Sequence, residues 1–168
     1  MIDPKQLIQY VIKPALDVIR LDSLAAQQLL LGTCAVESAC GKYIHQLGRG
    51  PACGIFQMEP ATHTDIYQNF LKYRRRDELA GRLQVLAGPS YRRDDGLYPN
   101  AQKMVTDLLY AAAMARIFYL RVPAPLPEAG DISGMAKYWK RYYNTHLGAG
   151  TPLKYERAWS KYCSKAFG

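Results

Sequence analysis

Apolar side chains recur along this chain mostly every three or four residues, the spacing of a helical face turned toward a core. The first stripe is Leu7, Val11, Ala15 and Val18, with Asp3-Pro4 ahead of it as capping carboxylate and first-turn proline. A helix is predicted to run from there to residue 20. A second helix is predicted over 24–40, capped by Asp22 or Ser23 and stopped at Gly41. It is apolar nearly all round, which predicts a buried central helix. From 42 to 58 the period fails and Gly48, Gly50, Pro51 and Gly54 accumulate, predicting a loop or a small β-hairpin. Helices follow over 60–73, over 77–87 with Gly88 closing it, and over 101–120, the last with Met104, Leu108, Ala112, Ala115 and Tyr119 on one face. Residues 89–99 read as an exposed polar loop, and 122–130, with three prolines, as a connector. Asp131 or Ser133 opens a helix carrying Met135, Trp139 and Tyr142, and a final helix over 152–166 packs Tyr155, Trp159 and Tyr162.

The fold class expected is therefore predominantly α, with one β-like insertion after the second helix. No internal repeat or linker divides the chain, and 168 residues suffice for one domain with a real core. An apolar fraction of 49% with 21% charged residues excludes a disordered chain. The opening residues lack a basic start, an apolar run and a cleavage site, so no secretory signal is expected. The most apolar stretch, 108–115, is too short to span a bilayer, and a soluble protein is expected.

Charge adds a second constraint. The formal net charge is +8 and the isoelectric point near 9.4, with Arg74-Arg75-Arg76 and Arg92-Arg93 the densest basic spots. Such a balance suits nucleic acid, an anionic cell-wall or lipopolysaccharide surface, or simply a solvated basic face. No zinc finger, RNP aromatic motif or basic heptad accompanies it, which favours a polyanionic surface over base recognition. Cys34, Cys40, Cys53 and Cys163 show no CxxC spacing. Cys40 and Cys53 flank the loop and can pair in an oxidising compartment, reduced thiols being the default. A zinc site from Cys40, Cys53, His45 or His63 matches no metal-ligand spacing. His45, His63 and His146 receive no role.

The candidate chemistry lies at the end of the second helix. Glu37 falls in its last turn, on the stripe of Leu30 and Cys34, facing a Gly-rich loop that carries Gln57. A helix C-terminus disfavours a further negative charge, and apolar neighbours penalise the carboxylate; both raise its pKa. A carboxylic acid kept neutral near pH 7 can protonate a glycosidic oxygen. The plain counterpart is an exposed glutamate near a helix end.

Three segments in order carry a resemblance. Glu37-Ser38, then Gly54-Ile55-Phe56-Gln57-Met58-Glu59-Pro60-Ala61-Thr62, then Tyr142-Tyr143-Asn144 resemble the motifs of the lysozyme-like superfamily, in its soluble lytic transglycosylase and goose-type lysozyme branch. The likeness spans about residues 24 to 162. It implies a single lysozyme-like α+β catalytic domain over 1–168, with a cleft between helices and a small hairpin. It also implies cleavage of the β-1,4 bond between N-acetylmuramic acid and N-acetylglucosamine. Glu37 would be the acid/base. Ser38 would bond the substrate, Gln57 would orient the sugar, and Tyr143 would line the cleft near Glu37. Asn144 would hold the turn or touch substrate, and Glu59 is the candidate second carboxylate. No metal or organic cofactor is implied. The partner implied is peptidoglycan glycan strands, with an anionic wall surface as a second, no specific nucleic acid, and a monomeric state. Transglycosylases manage with one carboxylate, whereas hydrolases commonly use two; Glu59 leans toward hydrolysis and Pro60-Ala61-Thr62 toward transglycosylation, which is favoured here. As a first-turn acid, Glu59 also has a purely helix-stabilising reading. The segment departs from the family at Thr145-His146 and at Ile55-Phe56. Small size, basic charge and no signal fit a phage lytic or virion-carried enzyme reaching the wall from the host cytoplasm. The rivals are a non-catalytic wall-binding or structural protein of the same fold and a basic nucleic-acid binder.

Overall fold

The computed structural model of the chain describes residues 1–48, 50–88, 98–145 and 148–167, and these are predominantly helical. The first helix forms as expected. The Asp3 carboxylate accepts the Gln6 amide at 3.1 Å, and α1 (Pro4–Leu7) passes through a π-helical turn (Ile8–Ile12) into α2 (Lys13–Ile19). Leu7, Val11, Ile12, Ala15, Leu16 and Ile19 are its buried face, while Val18 lies at the margin. Ser23, rather than Asp22, caps α3 (Leu24–Ser38) by accepting the Ala26 amide at 3.1 Å.

α3 ends at Ser38, short of the predicted stop at Gly41. Ala39, Cys40 and Gly41 have φ of 50°, 54° and 75°, so the chain reverses through three left-handed residues. Two of these carry side chains that disfavour the conformation. The reversal is held by the Ser38 hydroxyl, which accepts the Gly41 amide at 2.9 Å, and by Cys40 N–H bonded to Cys34 O at 3.2 Å. Sequence spacing carries no trace of this, because glycine is the residue that advertises a left-handed stop.

Across 42–58 the described residues form isolated antiparallel bridges, His45 to Cys53 and Cys53 to Met58, in place of paired strands. Gly54 has φ of 74°, and a Cβ there would sit 2.5 Å from the carbonyl oxygen of Met104, so glycine is required for this loop to lie on the helix behind it. α4 (Pro60–Ile66) continues as a π turn (Tyr67–Leu71), and α5 (Asp77–Ala87) closes on Gly88 as expected. The expected exposed loop over 89–99 falls largely outside the described residues, as do Arg92, Arg93 and His146. Its described end is not exposed: Tyr98 is buried and stacks on Tyr67 at 4.8 Å.

The single helix expected over 101–120 is broken. α6 (Lys103–Thr106) stops at Asp107, which turns extended and caps α7 (Leu108–Leu120) by accepting the Tyr110 amide at 2.9 Å. Lys103 Nζ bonds the same carboxylate at 2.7 Å, so the acid is spent on the break. Every residue from Tyr110 to Ile117 is buried, so α7 is a second central helix beside α3. Thr33 links the two, its hydroxyl 2.8 Å from both Leu29 O and Tyr119 Oη. α8 (Ile132–Tyr138), capped by Asp131, runs into a π turn (Trp139–Asn144). α9 (Pro152–Ala158), capped by Thr151, runs into another (Trp159–Cys163). α9 packs on α3 where Gly32 leaves room for the Tyr155 ring; a Cβ there would lie 2.0 Å from its hydroxyl oxygen.

Cys34, Cys40, Cys53 and Cys163 are all buried, unpaired thiols. Cys40 has Cys163, not Cys53, as its thiol neighbour. Among the described residues no cluster of His, Cys, Asp and Glu has the makings of a metal site, and no helix is long and apolar enough to cross a membrane.

Candidate active site

The end of α3, the 43–59 loop, the end of α7 and the segment after Tyr143 enclose a pocket of about 700 Å³. Glu37, Gln57, Glu59, Tyr143 and Asn144 all line it. Residues from three distant stretches of chain thus share one concavity.

Glu37 lies partly buried in the wall. Trp139, itself fully buried, donates its indole N–H to Glu37 Oε1 at 2.9 Å. Burial lifts the Glu37 pKa to about 7, against the opposing pull of that N–H and of the positive charge on Lys154. The α3 C-terminus pushes in the same direction as burial. Because an indole nitrogen only donates, Oε1 must present a lone pair, and the acid proton belongs on Oε2. The partner therefore fixes which oxygen carries the proton.

Trp139 was expected as a core aromatic, and it is one: its ring lies 5.6 Å from that of Tyr155. Its hydrogen bond to Glu37 was not foreseen. The available signal was its place four residues before Tyr143 on one helical segment. Gly150 seats it, since a Cβ there would lie 2.3 Å from the indole edge.

Tyr143 presents its ring to the pocket, while its hydroxyl points inward and donates to Phe56 O at 2.8 Å. Burial, followed by the nearby Glu37 charge, raises its pKa well above the ordinary phenolic value, so it stays a neutral donor. Phe118, also unforeseen, lines the pocket and meets Tyr143 edge-on at 4.7 Å. Gln57 sits in the left-handed region at φ 48°, a conformation that costs a non-glycine residue energy. Its backbone N–H and side-chain Nε2 both bond Gly54 O, at 3.0 and 2.8 Å. The amide is thereby held against the loop with one edge toward the pocket.

Asn144 serves chiefly as a turn residue. Its Oδ1 accepts from Gly150 N at 3.1 Å and from Lys140 Nζ at 2.9 Å. That ammonium also bonds Thr145 O and Gly148 O, each at 2.7 Å, and so gathers the chain between Asn144 and α9. Glu59 is exposed at the rim, as N-cap of α4 without a side-chain capping bond.

Ser38 does not belong to the pocket. It is fully buried, and its hydroxyl lies 2.6 Å from Ile55 O and 3.0 Å from Cys34 O while accepting from Gly41 N. With every polar direction spent on backbone it cannot reach a ligand; it ties the α3 terminus to the loop that bears Gln57. Two further acids are also structural. Asp65 pairs with Arg121 and Asn69, and Asp107 caps α7. His63 is buried with Nε2 2.7 Å from Tyr110 Oη, away from the pocket lining, and His45 is exposed in the bridge to Cys53.

Comparison with protein-family models, with curated proteins and with solved structures finds no match.

Proposed function

We propose that this is a lysozyme-like domain whose pocket cleaves peptidoglycan between N-acetylmuramic acid and N-acetylglucosamine, by lytic transglycosylase chemistry. The observation that carries the reading is the Glu37 carboxyl: part-buried, facing a sugar-sized pocket, held near pKa 7, with one oxygen committed as an acceptor. Oε2–H gives its proton to the glycosidic oxygen as the C1–O bond breaks. The carboxylate then takes the proton of the muramic 6-hydroxyl as that oxygen closes on C1. The 1,6-anhydro product forms, the acid is regenerated, and no water is consumed. Gln57 and the Tyr143 ring hold the sugar beside the acid, and Tyr43 and Leu47 offer apolar surface to neighbouring rings. A phage-borne enzyme acting at the wall is the setting that fits.

Hydrolysis is the second reading, favoured by one observation: Glu59 lines the same pocket and is exposed to water. There it would activate a water molecule after Glu37 has protonated the leaving group. Mass spectrometry of the products from purified peptidoglycan tests both. Anhydro-muropeptides support transglycosylation and reducing-end muropeptides support hydrolysis. If wild-type protein releases neither, the pocket is a binding site and the catalytic reading is wrong.

A further inference from the structure

The basic charge of this chain is unevenly placed. Residues 132–168 hold seven Lys or Arg and a single acid, within a whole-chain net of +8. In the earlier part of the chain four basic side chains meet acids: Lys13 with Asp17, Arg82 with Glu78, Lys103 with Asp107 and Arg121 with Asp65. On α9 and its continuation they do not. Lys154, Arg157 and Lys161 are exposed, and none is in an ion pair among the described residues. Spacings of three and four residues place them on one helical face.

That face starts at the pocket. Gly148 and Ala149 line it, Thr151 caps α9, and Lys154 follows in the first helical turn, near enough to Glu37 to act on its charge. From Lys154 to Arg157 and Lys161 the row leads away along the helix for about 10 Å.

We propose that Lys154, Arg157 and Lys161 form a docking track for the carboxylate-bearing peptide stems of the glycan strand, so that the substrate is a stem-bearing strand and not bare glycan. This rests on reading the pocket as a glycan site. Three observations select stems over other polyanions. The track is continuous with the pocket, and stems branch from the muramic sugar bound there. A stem of about four residues reaches about 13 Å, matching the track. Stem carboxylates are spaced single charges, as are the three cations, whereas a membrane surface would engage a broad face with apolar insertion.

The test uses fluorescence anisotropy of labelled soluble glycan strands, either stem-bearing or stripped of stems by an amidase. Wild-type protein is compared with the double variant Arg157→Gln/Lys161→Gln, which spares Lys154 because its charge also acts on Glu37. Exposed ion pairs are individually weak, so the expected margin favouring stem-bearing strands is about three- to tenfold at low salt. It should shrink as ionic strength rises and collapse toward one in the double variant. Equal affinity of wild-type protein for the two strands overturns the proposal. So does a margin that survives in the double variant, or wild-type binding to anionic phospholipid vesicles with no stem margin. Fragment release is scored separately. A protein that keeps the margin yet cleaves nothing refutes the catalytic reading alone, and one that cleaves both strands with no margin refutes only the track.

Discussion

The pocket has two unlike walls. On the helical side, Glu37 sits at the end of a buried helix, gripped by an indole that is itself packed on Tyr155 and Gly150. On the loop side, Glu59 stands exposed on a segment held by isolated bridges, and Leu47, which lines the same pocket, is 68% exposed. Two glutamates thus face the same space with opposite surroundings. A buried carboxyl with one fixed oxygen is suited to hold and deliver a proton; an exposed one lacks those surroundings. On the proposed reading, chemical role is set by what surrounds the side chain, not by which side chain it is.

The strongest way to break this contrast is to neutralise each acid in turn. Glu37→Gln should lower the release of muropeptides by at least about 10³-fold, the scale of losing a general acid together with the base it becomes. The urea midpoint should not fall. Glu59→Gln should cost less than about tenfold if the muramic hydroxyl is the nucleophile, and should match the Glu37→Gln loss if water is. Equal, small effects from both would show that the two walls do not differ in function.

The loop wall can be broken mechanically. Gly54→Ala forces a Cβ into the Met104 carbonyl at a left-handed φ, and should cost about 2–4 kcal/mol by urea unfolding. Next in size is a pH effect on the helical wall. The folded pKa of Glu37, about 7, lies above its ordinary value of 4.5, so between these values the folded state binds the extra proton. Stability is therefore highest below about pH 4.5 as far as this group is concerned, and declines as pH rises toward 7. The loss is about 3–4 kcal/mol at most. Glu37→Gln should remove this slope, leaving the variant more stable than wild type at pH 8 and comparable at pH 4.

How much of this was legible in the chain depends on the kind of signal. Helix faces and the caps at Asp3, Asp131 and Gly88 follow local rules, and they emerge nearly in register. Glu37, Gln57, Tyr143 and Asn144, singled out on short segments far apart in the chain, come to line one pocket. Ser38, singled out with Glu37, is instead buried against Ile55 O, seventeen residues away, which spacing does not reveal. The break at Asp107 was hidden by an unbroken apolar period that a single capping carboxylate overrides. Trp139 reads as core because it is core; only the approach of α8 and its π turn to the end of α3 makes its N–H a partner for the acid. Lys154, Arg157 and Lys161 drew no attention in the sequence, because their common face shows only against the pairing of the cations elsewhere.

The finest test of the contrast bears on that indole. Trp139→Phe keeps an aromatic ring against Tyr155 and Gly150 but deletes the indole N–H that bonds Glu37, at a packing cost of about 1–2 kcal/mol. A donor aimed at a carboxylate stabilises its charged form, so removing it should raise the Glu37 pKa above 7 by about one unit. ¹³C NMR titration of the Glu37 carboxyl reads this directly, with no need of turnover. Any glycan cleavage should extend to higher pH by the same interval, while Oε1 and Oε2, no longer distinguished, should share the proton and lower the maximal rate. An unmoved titration would mean that the indole merely fills space. The Glu37 pKa would then be set without the indole, and the distinction between its two oxygens would vanish.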